Sequence, residues 1–275
     1  MDLDGKTTLI TGGGRGIGEA LARRFHAGGA TVVVADLAGA QDVAAQLDGA
    51  VGLSADVSTE AGNVAMIDAA VEAVGPIDLF FANAGVAEGF ALDDTDEATW
   101  ERSFAINVHA HRWAAKRLVP DWLERGDGYF CSTASAAGLL IQIGSVPYTL
   151  TKRAAVSFAE WMAVTYGDRG IKVSCLCPQG VRTAMLDQTT GAPNGADIVK
   201  AAGAVLEPAD VADIVAQAIV EEQFLILPHP EVHRYMQHKA ADPARWLAGM
   251  RRLQATVLNR CPSPSAHSPA LRPHL

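Results

Sequence analysis

The chain has little that would suit it to nucleic acid, metal or membrane. No Lys/Arg block or basic stripe interrupts a net charge of −9, which argues against nucleic acid or an anionic membrane surface as a partner. No apolar run approaches the length that spans a bilayer. Met1-Asp2-Leu3-Asp4-Gly5-Lys6 carries two acids and no long apolar stretch, so a signal peptide is not expected. The four cysteines, Cys131, Cys175, Cys177 and Cys261, fit no zinc pattern and no C-x-x-C pair. They read as small buried residues in a reducing compartment, and a cytoplasmic location is expected. His229, His233 and His238 invite a metal reading. Pro230 disfavours a shared helical face, however, and no H-E-x-x-H pattern forms, so no metal is expected.

What is present is an apolar half, 49% of 275 residues, enough for one large core. Thr7–Ile10 reads as a buried strand. It runs into Thr11-Gly12-Gly13-Gly14-Arg15-Gly16-Ile17-Gly18, after which Ile17, Leu21, Ala22 and Phe25 recur at helical spacing. A second strand, Thr31–Ala35, closes at Asp36. Strand, glycine-rich turn, helix, strand and acid in this order form the layout of a dinucleotide site. Glycines let the backbone approach a pyrophosphate, and the helix N-terminus offers free N–H groups and a positive dipole end. The strict G-x-G-x-x-G spacing fails, because the last position counted from Gly12 is Ile17; the spacing is T-G-x-x-x-G-x-G. Further strands are expected at Val51–Ala55, Ile77–Phe81, Gly128–Ser132, Ile171–Cys177 and Phe224–Leu227, with helices at Val64–Val74, Glu97–Leu123 and Glu207–Val220. Short strands, apolar on both faces and separated by helices, predict a doubly wound parallel α/β sheet.

In the second half, Tyr148-Thr149-Leu150-Thr151-Lys152 opens an apolar helix. Residues four apart share a helical face, so the phenol and the ammonium point the same way. A cation beside a phenol favours the phenolate and suits the pair to acid/base work. Taken alone, such a pair more often marks a half-exposed structural helix. Ser132, Thr133 and Ser135 follow a strand, where hydroxyl residues also cap turns. Asn107 inside a helix also reads as a buried, backbone-bonded amide.

Together these motifs resemble a short-chain dehydrogenase/reductase of the smaller, single-domain type. Thr11-Gly12-x-x-x-Gly16-Ile17-Gly18 is similar to the family's cofactor loop, Asp56-Val57 to its adenine contact, and Asn83-Ala84-Gly85 to most of its N-N-A-G turn, with Ala82 in place of the first Asn. The resemblance implies a catalytic set of Asn107, Ser135, Tyr148 and Lys152. It implies NAD bound by Gly12, Gly14, Arg15, Gly16, Ile17, Gly18, Asp36, Asp56, Val57, Asn83, Ala84, Gly85, Tyr148, Lys152, Pro178, Val181 and Thr183. In the P-G-x-x-x-T loop, Gln179 stands where Gly is usual; an ordinary backbone there would leave an extra amide near the cofactor or substrate. The activity implied is hydride exchange between nicotinamide and a secondary alcohol or ketone. Leu139, Leu140, Ile141, Met185 and Leu186 favour an apolar one, and no basic clamp for a phosphate or carboxylate is evident, with Arg182 the one candidate left open. A non-catalytic dinucleotide sensor would typically lack Ser, Tyr or Lys. An epimerase or dehydratase would show a different glycine spacing and a longer substrate domain.

A catalytic domain over residues 1–228 is expected, then a helical extension over 229–260 and a disordered tail over 261–275. Residues 184–206, rich in Ala and Gly, suit a lid. The resemblance implies that the helix bearing Asn107 and the helix bearing Tyr148 and Lys152 pair across subunits; here they carry Trp113, Phe158, Trp161 and Met162, more apolar area than one sheet face covers, and a homotetramer is expected.

Overall fold

A computed structural model describes residues 1–187 and 203–260. Most of the expected lid and the whole of the 261–275 segment lie outside the described residues. In chain order the elements are β1 (Thr7–Thr11), α1 (Gly16–Ala27), β2 (Thr31–Asp36), α2 (Ala40–Ala44), β3 (Val51–Ser54), α3 (Glu60–Val74), β4 (Leu79–Ala82), α4 (Glu97–Phe104), α5 (Ala110–Arg125), β5 (Gly128–Thr133), α6 (Ala136–Leu139), α7 (Val146–Tyr166), β6 (Ile171–Leu176), α8 (Ala184–Asp187), α9 (Pro208–Val220), β7 (Leu225–Ile226), α10 (Glu231–Ala241) and α11 (Pro243–Arg260).

The strands form one parallel sheet in the order β3-β2-β1-β4-β5-β6-β7. Central strands such as β5 are buried along their whole length, as expected where helices cover both faces. One apolar layer joins Leu21 and Phe25 of α1 to Val211, Val215 and Ile219 of α9 over one face. The other joins Met66 and Ile67 of α3, Leu118 and Trp122 of α5, and Ala155 and Met162 of α7.

Two boundaries differ from the sequence reading in a way that bears on the site. The expected helix Glu97–Leu123 is broken by a π turn at Ala105–His109, centred on Asn107. A π turn widens the backbone locally and tends to occur at functional sites. Here it accompanies an Asn107 side chain fully engaged with Val86 and Thr151. The helix expected to begin at Val64 begins at Glu60, because the Thr59 hydroxyl accepts the Gly62 N–H at 3.0 Å and caps it.

Candidate active site

β1 pairs with β2 on one side and β4 on the other, so the connections leave the two strands in opposite directions. At such a switch point the loops beyond the carboxyl ends of the strands part and open a crevice. The crevice here is a cavity of about 1460 Å³. That exceeds the roughly 300–1,000 Å³ of ordinary small-molecule pockets and gives room for a dinucleotide together with a substrate.

At one end stand Asp36, Asp56 and Val57. Asp36 Oδ2 accepts the Gly14 N–H at 3.0 Å, which ties the acid to the glycine turn. Gly12, Arg15, Gly16 and Ile17 form the floor. Gly12 has φ +63°, and a Cβ there would fall 2.8 Å from the Ala84 Cα; only glycine permits that approach. The Thr11 hydroxyl accepts the N–H groups of Asn83 and Ala84 at 3.0 and 3.1 Å. The Asn83 amide donates to the carbonyls of Thr11 and Gly12. The turn Asn83-Ala84-Gly85 is thereby sewn to the glycine loop, and all three residues line the cavity. Ala82 is an ordinary buried strand residue.

At the other end the cavity is lined by Ser135, Tyr148 and Lys152, and closed by Pro178, Val181 and Thr183. Pro147 sits in the first turn of α7, where its missing N–H costs nothing, and the next residues carry Tyr148 and Lys152 on one face. Lys152 Nζ lies 5.8 Å from the Tyr148 ring centroid and donates to the Thr133 carbonyl at 2.8 Å. Lys152 is buried, 3% exposed, and desolvation draws its pKa down to about 8. The expectation that the neighbouring cation depresses the phenol is not met in this geometry. Burial pushes Tyr148 above the usual phenol range, and the group that pulls it back is the Ser135 hydroxyl beside it, not Lys152. The sequence shows the cation four residues away; the desolvation arises from packing.

Ser135 caps α6, accepting the Ala137 N–H at 3.1 Å, so it also performs the turn role open to such a residue. Three of the expected residues stand behind the lining. Asn107 Oδ1 accepts the Val86 N–H and its Nδ2 donates to the Val86 carbonyl, both at 2.9 Å, while Nδ2 also reaches the Thr151 hydroxyl at 3.0 Å. Gly14 and Gly18 serve close packing: a Cβ on Gly14 would meet the Ala38 carbonyl at 2.1 Å, and one on Gly18 the Gly12 carbonyl at 2.1 Å.

Gln179 lines the cavity and keeps φ negative, since Glu222 alone among described non-glycine residues has φ > 0. Its buried Oε1 has no hydrogen-bond partner among the described residues. Its N–H donates to His229 Nδ1 at 3.1 Å, and His229 Nε2 donates to the Gly180 carbonyl at 3.1 Å. His229 thus braces the loop after β6 from fifty residues downstream, a contact with no sequence signal. Thr133 and Thr151 are the other supports that motif spacing did not single out, while Thr11 stands in the glycine motif without an assigned role there. The C-terminal helices complete the wall with Tyr235, Trp246, Met250 and Leu253.

Comparison with known proteins agrees with this geometry. A family profile described as short chain dehydrogenase matches residues 6–194. The chain is 33% identical over 189 residues to 3beta-hydroxysteroid dehydrogenase 2 of Eggerthella lenta, covering 66% of this chain and 73% of that protein. It is 34% identical over 224 residues to meso-2,3-butanediol dehydrogenase of Serratia marcescens, covering 78% and 88%. Its fold matches a short chain dehydrogenase/reductase from Burkholderia phymatum solved in complex with NAD, with TM-score 0.80 and 29% identity over 88% of this chain and 95% of that one. The chain belongs to the short-chain dehydrogenase/reductase family. It is an NAD-dependent oxidoreductase of alcohol and ketone groups.

Proposed function

We propose that Tyr148, Ser135 and Lys152 carry out the proton chemistry of a secondary alcohol/ketone oxidoreductase, with a largely apolar substrate seated under α10 and α11. One observation carries the reading: these three side chains meet at the end of a single cavity whose other end is Asp36. Bound NAD supplies the hydride acceptor for oxidation, or the donor, as NADH, for reduction. The chain supplies orientation and proton transfer. Ser135 donates a hydrogen bond to the substrate oxygen, and Tyr148 takes the hydroxyl proton in oxidation and returns it in reduction. Lys152, held by the Thr133 carbonyl, would bond the ribose next to nicotinamide. Asn107 and Thr151 steady this arrangement from behind.

For the cofactor, the glycines Gly12, Gly14, Gly16 and Gly18 with Arg15 and Ile17 fit a pyrophosphate. Asp36 fits the adenosine ribose, and Asp56 and Val57 the adenine. Asn83, Ala84, Gly85, Pro178, Val181 and Thr183 fit the nicotinamide half. Leu140, Ile141, Met185 and Trp246 at the substrate end support an apolar alcohol, as do relatives named for a hydroxysteroid and a butanediol. The test is a screen of NAD reduction over steroid, alicyclic, aliphatic and sugar alcohols. Steroid, alicyclic or aliphatic secondary alcohols should be oxidised ahead of sugars.

The same reading extends to assembly, layout and location. Exposed Leu150, Trp161 and Val164 on α7, at 47, 55 and 87%, support a homotetramer, tested by light scattering at micromolar concentration. Residues 1–228 are read as the catalytic domain, 229–260 as its helical extension and 261–275 as a tail. The free, buried Cys131, Cys175 and Cys177 suit a reducing, cytoplasmic setting, tested by fractionation. No described helix is long and apolar enough to cross a membrane.

A further inference from the structure

The acid of this chain is not evenly distributed. From Pro243 onward there is no Asp or Glu and there are five arginines, in a protein of net charge −9. Two of the five, Arg245 and Arg252, line the cavity from α11, seven residues apart and so on one helical face, with Trp246, Met250 and Leu253 beside them. Arg251, between them, does not line it.

These two cations differ from six arginines of the sheet domain that are neutralised by acids. Arg23, Arg24, Arg102, Arg117, Arg125 and Arg182 each pair with a carboxylate. The guanidinium groups of Arg245 and Arg252 have no such partner among the described residues. The acids of the cavity are engaged elsewhere. Asp242 caps α11 by accepting the Arg245 backbone N–H at 2.9 Å, Glu88 pairs with Arg102, and Asp36 and Asp56 lie at the nucleotide end.

The position of α11 over the cavity is supported by a polar anchor. Lys239 of α10 donates to the carbonyls of Leu139 and Leu140 at 2.8 and 2.9 Å, and its ammonium stands 5.0 Å from the Trp246 ring centroid. The apolar side of α11 therefore continues the wall formed by Leu140 and Ile141, and its arginines extend that wall to the solvent-exposed rim.

We propose that the substrate carries an anionic group, a carboxylate or phosphate, at the end remote from its reacting carbon, and that Arg245 and Arg252 bind that group at the mouth of the cavity. The planar guanidinium fork suits either anion. This rests on the alcohol/ketone reading above and adds a substrate class to it: an amphipathic alcohol or ketone, apolar in the middle and charged at the far end. The helix also has the composition of one that meets an anionic lipid surface. Trp246, Met250 and Leu253 line the cavity, which favours the substrate over the membrane.

The test uses the full-length chain loaded with NAD. The probes are straight-chain fatty acids bearing a secondary hydroxyl on the penultimate carbon, in graded lengths, with their methyl esters and the corresponding phosphate monoesters. Binding by calorimetry and kcat/KM for NAD reduction are both measured. At the best length, wild type should favour an anionic probe over its ester by roughly tenfold, as expected for two solvent-exposed ion pairs. The comparison of carboxylate with phosphate identifies the anion. R245A/R252A should reduce the ratio to near one, R251A should leave it unchanged, and added salt should lower it. Equal binding of ester and anion by wild type, or a preference that survives R245A/R252A, would overturn the proposal. So would sedimentation with phosphatidylserine vesicles that R245A/R252A abolishes, if acid and ester are bound alike; the arginines would then serve a lipid surface. Tighter binding of the anion without any oxidation would sustain the arginine site and sink the alcohol reading instead.

Discussion

Asn107 holds both backbone polar groups of Val86, accepting its N–H and donating to its carbonyl, each at 2.9 Å. The amide matches a backbone peptide as a β-strand neighbour would, while its second donor reaches the Thr151 hydroxyl. Asn107→Leu keeps the volume and deletes all three bonds. Buried groups left unpaired cost about 1–3 kcal/mol, so a drop of that size in denaturant unfolding is expected, with kcat reduced more than NAD binding. Unchanged stability would mean that water replaces the amide at Val86.

Tyr148→Phe removes the transferable proton and keeps the ring. Turnover should fall by orders of magnitude while NAD affinity survives. Near-normal turnover would take Tyr148 out of the proton step.

Gly12→Ala places a methyl where the Ala84 backbone already stands, at φ +63°. Gly49→Ala has a similar φ, +71°, with nothing within 4 Å. Both substitutions incur a left-handed strain of about 1 kcal/mol, but only the first pushes the cofactor loop from the Asn83-Ala84-Gly85 turn. NAD affinity should fall at least about tenfold in Gly12→Ala and stay unchanged in Gly49→Ala. Equal effects of the two would show that strain alone matters.

The pH dependence follows from burial. In the proposed step Tyr148 is the base for oxidation, and burial raises its pKa above the usual phenol range. The proton-accepting form is therefore lost as pH falls, and kcat/KM for alcohol oxidation should rise from neutral into alkaline pH. Reduction uses the protonated phenol and should hold up at lower pH. The Ser135 hydroxyl draws the phenol back down, so Ser135→Ala should move the oxidation limb further alkaline as well as slow turnover. A flat profile, or a limb that stays put in Ser135→Ala, would remove burial and Ser135 from this account.

Local patterns exposed much of this in advance. Glycine spacing, the acid closing β2 and the Tyr148–Lys152 interval are set by backbone geometry within one strand–turn–helix unit, so they can be read from sequence. The strand/helix alternation led directly to the parallel sheet. What stayed hidden depends on packing between distant segments. The π turn at Asn107 accompanies contacts with Val86, twenty-one residues earlier. His229 braces Gln179 from fifty residues away. Lys239 draws α10 onto the Leu139–Leu140 carbonyls, which turns two surface arginines into the rim of a pocket. The upward shift of Tyr148 belongs to the same class, since spacing reveals a nearby charge but not the desolvation that outweighs it.

Cofactor choice is the last prediction. Asp36 ends β2 at the edge of the cavity, with Oδ2 accepting the Gly14 N–H at 3.0 Å. The other oxygen has only a long contact, 3.4 Å, to the Ala38 N–H, and it can accept the 2′-hydroxyl of the NAD ribose. An ionised carboxylate only accepts hydrogen bonds, and a 2′-phosphate there would bring like charges together. Two unit charges about 4 Å apart repel by about 4 kcal/mol at an effective dielectric near 20, roughly a thousandfold in affinity. Asp36 is half-buried, so solvent screens part of this, and a preference of at least about tenfold for NAD is expected. Leu37 beside it is 69% exposed and offers no charge to a phosphate. Arg15 lines the same end of the cavity and is the one cation that favours NADP. It is exposed and free to turn to solvent, whereas the carboxylate is held in place by the glycine turn. The measurement is kcat/KM with NAD and NADP on one alcohol, for wild type, Asp36→Ala and Arg15→Ala. Asp36→Ala should weaken NAD use and admit NADP, shrinking the ratio toward one, while Arg15→Ala should enlarge it. A wild type that uses both cofactors equally, or a ratio that does not move in Asp36→Ala, would defeat the assignment of Asp36.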